Sequence, residues 1–299
     1  MKRIMKIAGV ATLFLVVILG AVVAGALWLG DRKAQRTVLV KVVPVAYASG
    51  PAALKQGKYL FDSRGCAECY GANGAGRVVI DEPNGMYVKS PNITPGGVVA
   101  QYAEADWVRA IRHGVDPRGR PLLIMPSEDY NRLTDADLAA LVAHVRSLPP
   151  APASPAEIRL PVIVRVLYGL GVIPDAAGRI NHSAPPPQPV AVAATVAHGD
   201  YVARMCTGCH GEHLAGGKIP GGPPSWPAAA NLTPGEGTVL TRYDTTEKFI
   251  AMMRTGKRPD GTAVDKAMPF ETLKALNDTD LTAVHAYLKT LAPRAFGSR

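Results

Sequence analysis

An internal repeat constrains the fold of this 299-residue chain more than any other feature of its sequence. Four stretches recur at a nearly constant offset, and self-similarity of this kind indicates repeated structural units. The matched pairs are 92–96 with 231–235, 107–114 with 249–256, 125–126 with 268–269, and 137–148 with 280–291. The sequence therefore predicts two homologous domains, at 51–148 and 195–299, joined by a proline-rich linker at 149–194 and preceded by an N-terminal segment at 1–50.

The last stretch of each repeat predicts an amphipathic helix. In the first copy, Thr134 stands where a capping residue would begin the helix, and one helical face carries Leu138, Leu141, Val142, Val145 and Leu148. Alternating strand patterns are scarce, so the fold class is predicted to be mainly α. An apolar stretch of the linker, 161–168, is too short to span a bilayer and is expected to pack across the two domains.

The N-terminal segment contains 23 uncharged residues, 7–29, enough to cross ~30 Å of hydrocarbon as a helix. A signal peptide cut near residues 24–26 is the alternative, but its apolar region is usually only ~7–15 residues long. The net charge of +9 resides mostly in residues 1–50, which carry +6, so no basic domain and no nucleic-acid partner are expected. Basic residues flank both ends of the apolar run, so charge alone does not set its orientation.

All four cysteines lie in two Cys-x-x-Cys pairs, Cys66 with Cys69 and Cys206 with Cys209. Such pairs serve zinc binding, thiol redox chemistry or covalent haem attachment. A zinc ribbon places its pairs ~15–20 residues apart, whereas 136 residues separate these two. A thioredoxin-like motif belongs to a βαβ setting, and the surroundings here are helical and glycine-rich. Haem attachment is therefore favoured.

The two motifs differ in the residue that follows them. His210 completes a Cys-x-x-Cys-His in the second copy and would ligate the iron, with Met268 of the Met-Pro pair as the candidate sixth ligand. In the first copy Tyr70 stands in the position of that histidine, while Met125 of the Met-Pro pair is retained.

These motifs and the Leu-rich terminal helices resemble those of class I c-type cytochromes. The match is best with the dihaem, singly membrane-anchored cytochrome subunits that accept electrons from bacterial periplasmic dehydrogenases. The resemblance implies haem c on Cys206 and Cys209, and a second haem c on Cys66 and Cys69 if Tyr70 is tolerated. It also implies one pass through the inner membrane, haem domains in the periplasm, a dehydrogenase subunit upstream, and a cytochrome or terminal oxidase downstream.

Tyr70 leaves three alternatives open for the first copy. A haem is attached, with Tyr70 or water opposite Met125; or no haem is attached, and Cys66 and Cys69 are thiols or a disulfide in a docking scaffold; or another histidine ligates. His113 is the nearest candidate for the third alternative, although a surface or capping role suits it better.

Electron transfer without independent catalysis is the leading functional hypothesis. A dihaem peroxidase is a rival, because a tyrosine in place of the histidine could leave an open coordination position on one haem. A membrane-tethered, single-haem protein with a vestigial docking domain is the third hypothesis, and it corresponds to a first copy that lacks haem.

Overall fold

The computed structural model describes residues 2–220, 222–223 and 225–298 and confirms the mainly α fold. Two short 3₁₀ helices, Arg204–Cys206 and Val239–Arg242, accompany the regular elements. Those elements, in chain order, are α1 (Lys2–Ala34), α2 (Pro51–Ser63), α3 (Cys66–Tyr70), β1 (Val78–Asp81), β2 (Tyr87–Lys89), α4 (Glu104–His113), α5 (Ser127–Tyr130), α6 (Asp135–Ser147), β3 (Glu157–Arg159), α7 (Val162–Gly169), α8 (Ala176–Arg179), α9 (Val196–Ala203), α10 (Thr207–His210), α11 (Thr246–Thr255), α12 (Phe270–Leu273) and α13 (Asp278–Leu288).

The same series of five helices occurs twice along the chain. Helices α2 to α6 form what we call the first unit, and helices α9 to α13 form the second unit. Thr134 caps α6 by accepting a hydrogen bond from the backbone N–H of Asp137, and Asn277 caps α13 in the same way from Asp280. The sequence repeat therefore corresponds to two units with the same order of helices and with a side-chain N-cap on the last helix of each.

The first and last helices of each unit cross where a glycine removes the side chain between them. A Cβ on Gly57 of α2 would overlap the carbonyl of Ala140 in α6, and one on Gly199 of α9 would overlap the carbonyl of Ala283 in α13. Each crossing leads into an apolar core that contains the predicted helix face, including Leu138 and Leu141 in the first unit. In both units, the first and last helices therefore pack with their backbones in close contact at a glycine.

We expect Gly57→Ala to destabilise the protein by about 1–3 kcal/mol, because the added methyl group must push the two helices apart. Urea unfolding followed by circular dichroism measures the loss. Lys58→Ala, on the exposed face of the same helix, is the control and should cost only a few tenths of a kcal/mol. Equal effects of the two substitutions would show that the crossing at Gly57 is not tight.

A three-stranded antiparallel sheet belongs only to the first unit among the described residues. Its order is β1-β2-β3, and its third strand comes from the linker that follows α6. Val88 of β2 is buried, and the sheet lies over one side of the first unit. These short strands alternate too weakly for sequence patterns to reveal them.

The linker helix α7 packs against α1 and not across the two units as the sequence suggested. Gly169 of α7 meets Ala26 and Gly30 of α1 so closely that a Cβ on Gly169 would overlap the Ala26 carbonyl. Asp175, at the start of α8, accepts two hydrogen bonds of 2.6 Å from Arg36, just past the end of α1. The glycines at the α7–α1 contact and the Arg36–Asp175 ion pair hold the linker against α1. The apolar composition of the linker does not indicate this packing.

Helix α1 itself is long and apolar enough to cross a membrane. Its candidate span, Arg3–Ala34, has a mean hydropathy of 2.8 in its most apolar window, and none of that window is buried against the rest of the chain. Residues 35–49 then continue as extended chain along the first unit, where Val38 donates a backbone hydrogen bond of 2.8 Å to Gly119. The first unit is therefore attached directly to the end of α1.

Candidate haem-binding sites

In the second unit, the Cys-x-x-Cys-His motif spans the 3₁₀ turn and α10, and its histidine is held by a backbone carbonyl. His210 Nδ1 lies 2.8 Å from the carbonyl oxygen of Ala230, a contact that orients the imidazole ring. The loop closes through a 2.8 Å hydrogen bond from the N–H of Gly216 to the carbonyl of His210. Histidines that ligate a metal usually donate their other ring N–H to such a carbonyl.

The first unit keeps the same loop around Tyr70. The N–H of Gly76 donates to the Tyr70 carbonyl at 2.9 Å, and Pro91 precedes Asn92 as Ala230 precedes Asn231. Gly76 and Gly216 both have a positive φ. A Cβ on Gly76 would overlap the carbonyl of Ser90, and one on Gly216 would overlap the carbonyl of Ala229. Tyr70 therefore occupies the position of His210 in an otherwise preserved loop.

The Asn-x-Thr stretches found in the repeat brace these loops. Asn92 donates through Nδ2 to the carbonyl of Ala151 at 2.8 Å and accepts from the N–H of Thr94 at 2.7 Å. Asn231 does the same with the carbonyl of Arg294 and the N–H of Thr233. These asparagines tie the loop after each cysteine motif to the chain that follows the last helix of its unit.

An apolar cavity opens beside the cysteine motif of the first unit. Its volume is about 210 Å³, and it is partly open to solvent. The four site residues predicted there all line it, namely Cys66, Cys69, Tyr70 and Met125. The first unit therefore presents an apolar recess next to both thiols.

One polar group in this cavity has no partner. Trp107 lines the cavity and is 5% exposed, and its indole N–H makes no hydrogen bond to any described residue. Leaving such a donor buried and unsatisfied costs about 1–3 kcal/mol, so an acceptor carried by a bound group would remove that cost. The carboxylates of a haem supply such an acceptor, and in this respect the first unit fits the cofactor.

The partly buried thiols are poorly suited to redox catalysis. Burial raises the pKa of both Cys66 and Cys206 to about 12, whereas reactive cysteines have a lowered pKa. None of the four cysteines is paired in a disulfide. Across residues 2–220, 222–223 and 225–298, no group of three His, Cys, Asp or Glu side chains converges to hold a metal ion directly. The arrangement thus disfavours thioredoxin-like and zinc-ribbon chemistry and agrees with haem attachment.

The electrostatic surroundings of Tyr70 keep its hydroxyl protonated in the absence of a metal. Burial raises its pKa further above the ordinary value, and the neighbouring Cys69, Cys66 and Tyr102 act in the same direction. An iron at this site would have to displace the phenol proton to bind Tyr70 as a phenolate.

The two methionines occupy equivalent turns. The N–H of Ser127 donates to the Met125 carbonyl and the N–H of Phe270 to the Met268 carbonyl, both at 2.9 Å, immediately before α5 and α12. Met125 packs against the first core and Met268, like Cys206, against the second core. Each methionine thus lies on the same core as the cysteine motif of its own unit.

His113, the alternative ligand for the first unit, lies elsewhere. Its Nδ1 is 3.0 Å from Nδ1 of His182 in the linker, and it is not among the cavity-lining residues. His144 packs edge-on to Phe61, with ring centroids 5.4 Å apart, as a helix-packing residue. The structure therefore brings only Tyr70 and Met125 to the first cavity as potential axial ligands among those predicted.

The units meet through equivalent residues, which sequence reasoning missed. Tyr59 of the first unit donates to Asp280 of the second at 2.6 Å, and Tyr201 of the second donates to Asp137 of the first at 2.5 Å. This reciprocal pairing makes the interface pseudo-twofold. Tyr59 and Tyr201 both stand two residues after the crossing glycines, so the two contacts are made by equivalent positions of the repeat.

Arg64 breaks the symmetry of this interface. It is buried and lies 2.8 Å from Asp280 of the other unit, whereas its counterpart before the second motif, Arg204, pairs with Asp200 of its own unit. Burial acts to raise the pKa of Asp280, but the charge of Arg64 and hydrogen bonds from Tyr59, Arg64 and His198 lower it overall. Asp280 is therefore ionised at neutral pH and compensates the buried guanidinium.

The same interface brings the cysteine motifs close to the other unit. Asp129 of α5 accepts a hydrogen bond of 3.2 Å from the Thr207 hydroxyl, in the second motif. On the other side, Thr272 of α12 donates to Glu68, in the first motif, at 3.3 Å. Each attachment helix is thus contacted by the methionine-loop helix of the other unit.

Comparison with known proteins places these sites in a family. The cytochrome c family model matches twice, at residues 54–149 and 197–292. The chain is 29% identical over 273 residues to the fructose dehydrogenase cytochrome subunit of Gluconobacter japonicus, covering 81% of this chain and 53% of that protein. It is 28% identical over 279 residues to the gluconate 2-dehydrogenase cytochrome c subunit of Pantoea cypripedii, covering 81% of this chain and 60% of that protein.

The chain spans little more than half the length of these two curated relatives. The family model nevertheless covers most of the chain after α1, and both of its matches contain a cysteine motif and a Met-Pro turn. Cytochrome c domains carry covalently bound haem c, and two such domains provide for up to two haems. The chain belongs to the cytochrome c family and is a tandem, dihaem-type member of it.

Proposed function

We propose that this protein is a membrane-anchored electron carrier with one haem c in each unit, serving a periplasmic dehydrogenase. The observation that carries the proposal is the duplicated site, in which each unit places the first cysteine of its motif and a methionine on one apolar core. When bound, haem c supplies reversible one-electron chemistry, while the protein sets its ligands, burial and orientation.

In the second unit, Cys206 and Cys209 would hold the cofactor and His210 and Met268 would ligate the iron. The Ala230 carbonyl fixes the histidine ring through Nδ1. A His/Met pair raises the reduction potential, so we assign the second unit as the high-potential site.

In the first unit, Cys66 and Cys69 would hold a second haem c, with Tyr70 and Met125 as the side chains available to the iron. The cavity and the unpaired Trp107 N–H support a bound group there. A phenolate oxygen favours Fe(III), so the first unit should have the lower potential of the two.

The reciprocal interface supports a relay between the units. Asp129 of the first unit touches the attachment helix of the second, and Thr272 of the second unit touches that of the first. Electrons would enter from a dehydrogenase and leave to a cytochrome or terminal oxidase. The curated relatives, by their names, are cytochrome subunits of dehydrogenases acting on fructose and gluconate.

Helix α1 would anchor the protein in the bacterial inner membrane as a single span. Haem is attached after translocation in this family, so both units would face the periplasm, with the N-terminus in the cytoplasm. Length and composition of the span support the anchor.

The test uses the full-length protein in membranes that also contain its dehydrogenase. Adding the substrate of that enzyme should reduce haem c, seen as growth of the α-band, and His210→Ala should abolish the high-potential part of the signal. If dithionite reduces the haem but no sugar, alcohol or organic acid substrate does, the assignment to a dehydrogenase is wrong.

Asp129 makes the potential of the second haem dependent on pH. Burial raises the pKa of this carboxyl to about 7, and Glu128 adds to the shift. Above that pH a carboxylate lies beside Thr207 in the second motif, and its negative charge would favour Fe(III) in a haem held there, so the midpoint potential should fall as the pH rises through about 7.

Redox titrations at pH 6 and pH 8 measure this effect, and Asp129→Asn should remove most of it. Because the raised pKa means that the folded state holds the proton more tightly, wild-type stability should also fall as the pH rises from about 4 towards 7. A potential that follows pH equally in the wild type and in Asp129→Asn would contradict the assignment.

A further inference from the structure

The segment 162–172, which comprises α7 and the turn after it, exposes a cluster of large apolar side chains. Val162, Ile163, Leu170 and Val172 are 58%, 62%, 53% and 64% exposed. Single exposed apolar residues are ordinary on a protein surface, but clustered ones mark a contact surface. The remaining question is what covers them.

The position of this segment beside α1 identifies the occupant. Gly169 packs on Ala26 and Gly30, and Ala26 lies inside the apolar run 7–29. At about 1.5 Å of rise per residue, the contact with Ala26 is about 4.5 Å inside the end of that run. The turn carrying Leu170 and Val172 follows Gly169 directly, at the level where a span formed by α1 would leave the hydrocarbon.

The surrounding residues suit a membrane surface. Trp28 is 58% exposed and has the guanidinium of Arg32 4.9 Å from its ring centroid. Lys33 Nζ lies 4.3 Å from the ring centroid of Tyr168 in α7, and Arg165 pairs with Asp31 at 3.0 Å. Aromatic side chains and basic groups next to an apolar face are typical of segments in the headgroup region.

We propose that segment 162–172 is a second membrane contact, lying at the boundary between lipid headgroups and acyl chains beside the exit of α1. The segment packs directly on α1 at Gly169, and both carry exposed apolar side chains, so one phospholipid bilayer would cover both. This inference rests on the proposed membrane anchor.

A two-point contact would fix the orientation of the haem units. Arg36 ties the end of α1 to Asp175, and Arg179 of α8 pairs with Glu128 of α5 at 2.9 Å. The first unit is therefore attached to the membrane-surface segment as well as to the span. The protein would present its units to membrane-bound partners at one height and one tilt.

Site-directed spin labelling of the full-length protein in phospholipid vesicles tests the proposal. Single cysteines replace Leu170 or Ile163 in separate variants, and power saturation compares collisions with dissolved oxygen and with a water-soluble nickel complex. Leu39→Cys, at a 90% exposed position of the extended chain, is the control for water, and Leu19→Cys is the control for lipid. The unsubstituted protein, labelled identically, reports any reaction of the four native cysteines.

We expect the oxygen-to-nickel accessibility ratio at Leu170→Cys and Ile163→Cys to be several-fold above that at Leu39→Cys and to approach that at Leu19→Cys. A ratio equal to that at Leu39→Cys, with Leu19→Cys in lipid, would overturn the second contact and leave the anchor standing. Protection from both reagents would also overturn it, because a protein and not lipid would then cover the segment. If Leu19→Cys itself reports water, the proposed anchor is wrong and the second contact, which depends on it, is wrong as well.

Discussion

Tyr70→His is expected to raise the midpoint potential of the first haem by on the order of hundreds of mV, since axial ligands set haem potentials over a range of ~0.8 V. The substitution turns the first motif into the motif of the second. The introduced imidazole should meet the Pro91 carbonyl, because Pro91 stands before Asn92 as Ala230 stands before Asn231. The Gly76 hydrogen bond closes this loop as the Gly216 hydrogen bond closes the loop of His210. A neutral nitrogen ligand opposite Met125 should then favour Fe(II).

The measurement is a spectroelectrochemical titration of the wild type and the variant, each with both haems attached. Tyr70→Phe is the matched control, because it keeps the ring and removes the oxygen. In that variant we expect a change in the ligand-dependent bands of the oxidised first haem and an unchanged second haem. If Tyr70→His leaves both potentials in place, Tyr70 does not face the iron.

Asp280→Ala is expected to destabilise the protein by about 3–5 kcal/mol, the usual cost of breaking a buried ion pair by removing one partner. The substitution leaves the Arg64 guanidinium, with 6% side-chain exposure, without its carboxylate. It also removes the acceptor for Tyr59 and His198, and so weakens the contact between the two units.

Asp137→Ala is the control, because Asp137 is the pseudo-twofold equivalent of Asp280. It accepts from Tyr201 and Gln56, with no buried cation beside it. Its loss should cost about 1–2 kcal/mol. Urea unfolding in detergent compares the two variants, and the combined change Arg64→Met with Asp280→Leu should recover most of the stability. Equal losses for the two aspartates would show that the buried charge does not dominate this interface.

The repeat unit could be predicted from the sequence because it is local. Thr134 begins α6 with a side-chain cap, and the apolar face beginning at Leu138 is buried, since capping and helical periodicity depend on neighbours along the chain. The cysteine motif and the Met-Pro turn of each unit lie on one core. This could be predicted because both copies of the repeat keep nearly the same number of residues between the motif and the turn.

The contacts between units and with the linker could not be predicted, because they depend on residues far apart in sequence. Tyr59 and Asp280 are 221 positions apart, and nothing near either residue indicates the other. The packing of α7 on α1 likewise depends on the absence of side chains at Gly30 and Gly169, which the apolar pattern of the linker does not reveal. Sequence patterns therefore predict the helices within each unit but not the contacts between the units or with the linker.

The count of covalent haems per chain tests the central claim of two haem-bearing units most directly. Intact mass spectrometry of the full-length protein, matured in a bacterial periplasm, gives that count, and the pyridine haemochrome gives it independently. We predict the mass of the polypeptide plus two haems, one on Cys66 and Cys69 and one on Cys206 and Cys209. A mass that corresponds to one haem, on Cys206 and Cys209 alone, would contradict the relay and make the first unit a docking scaffold.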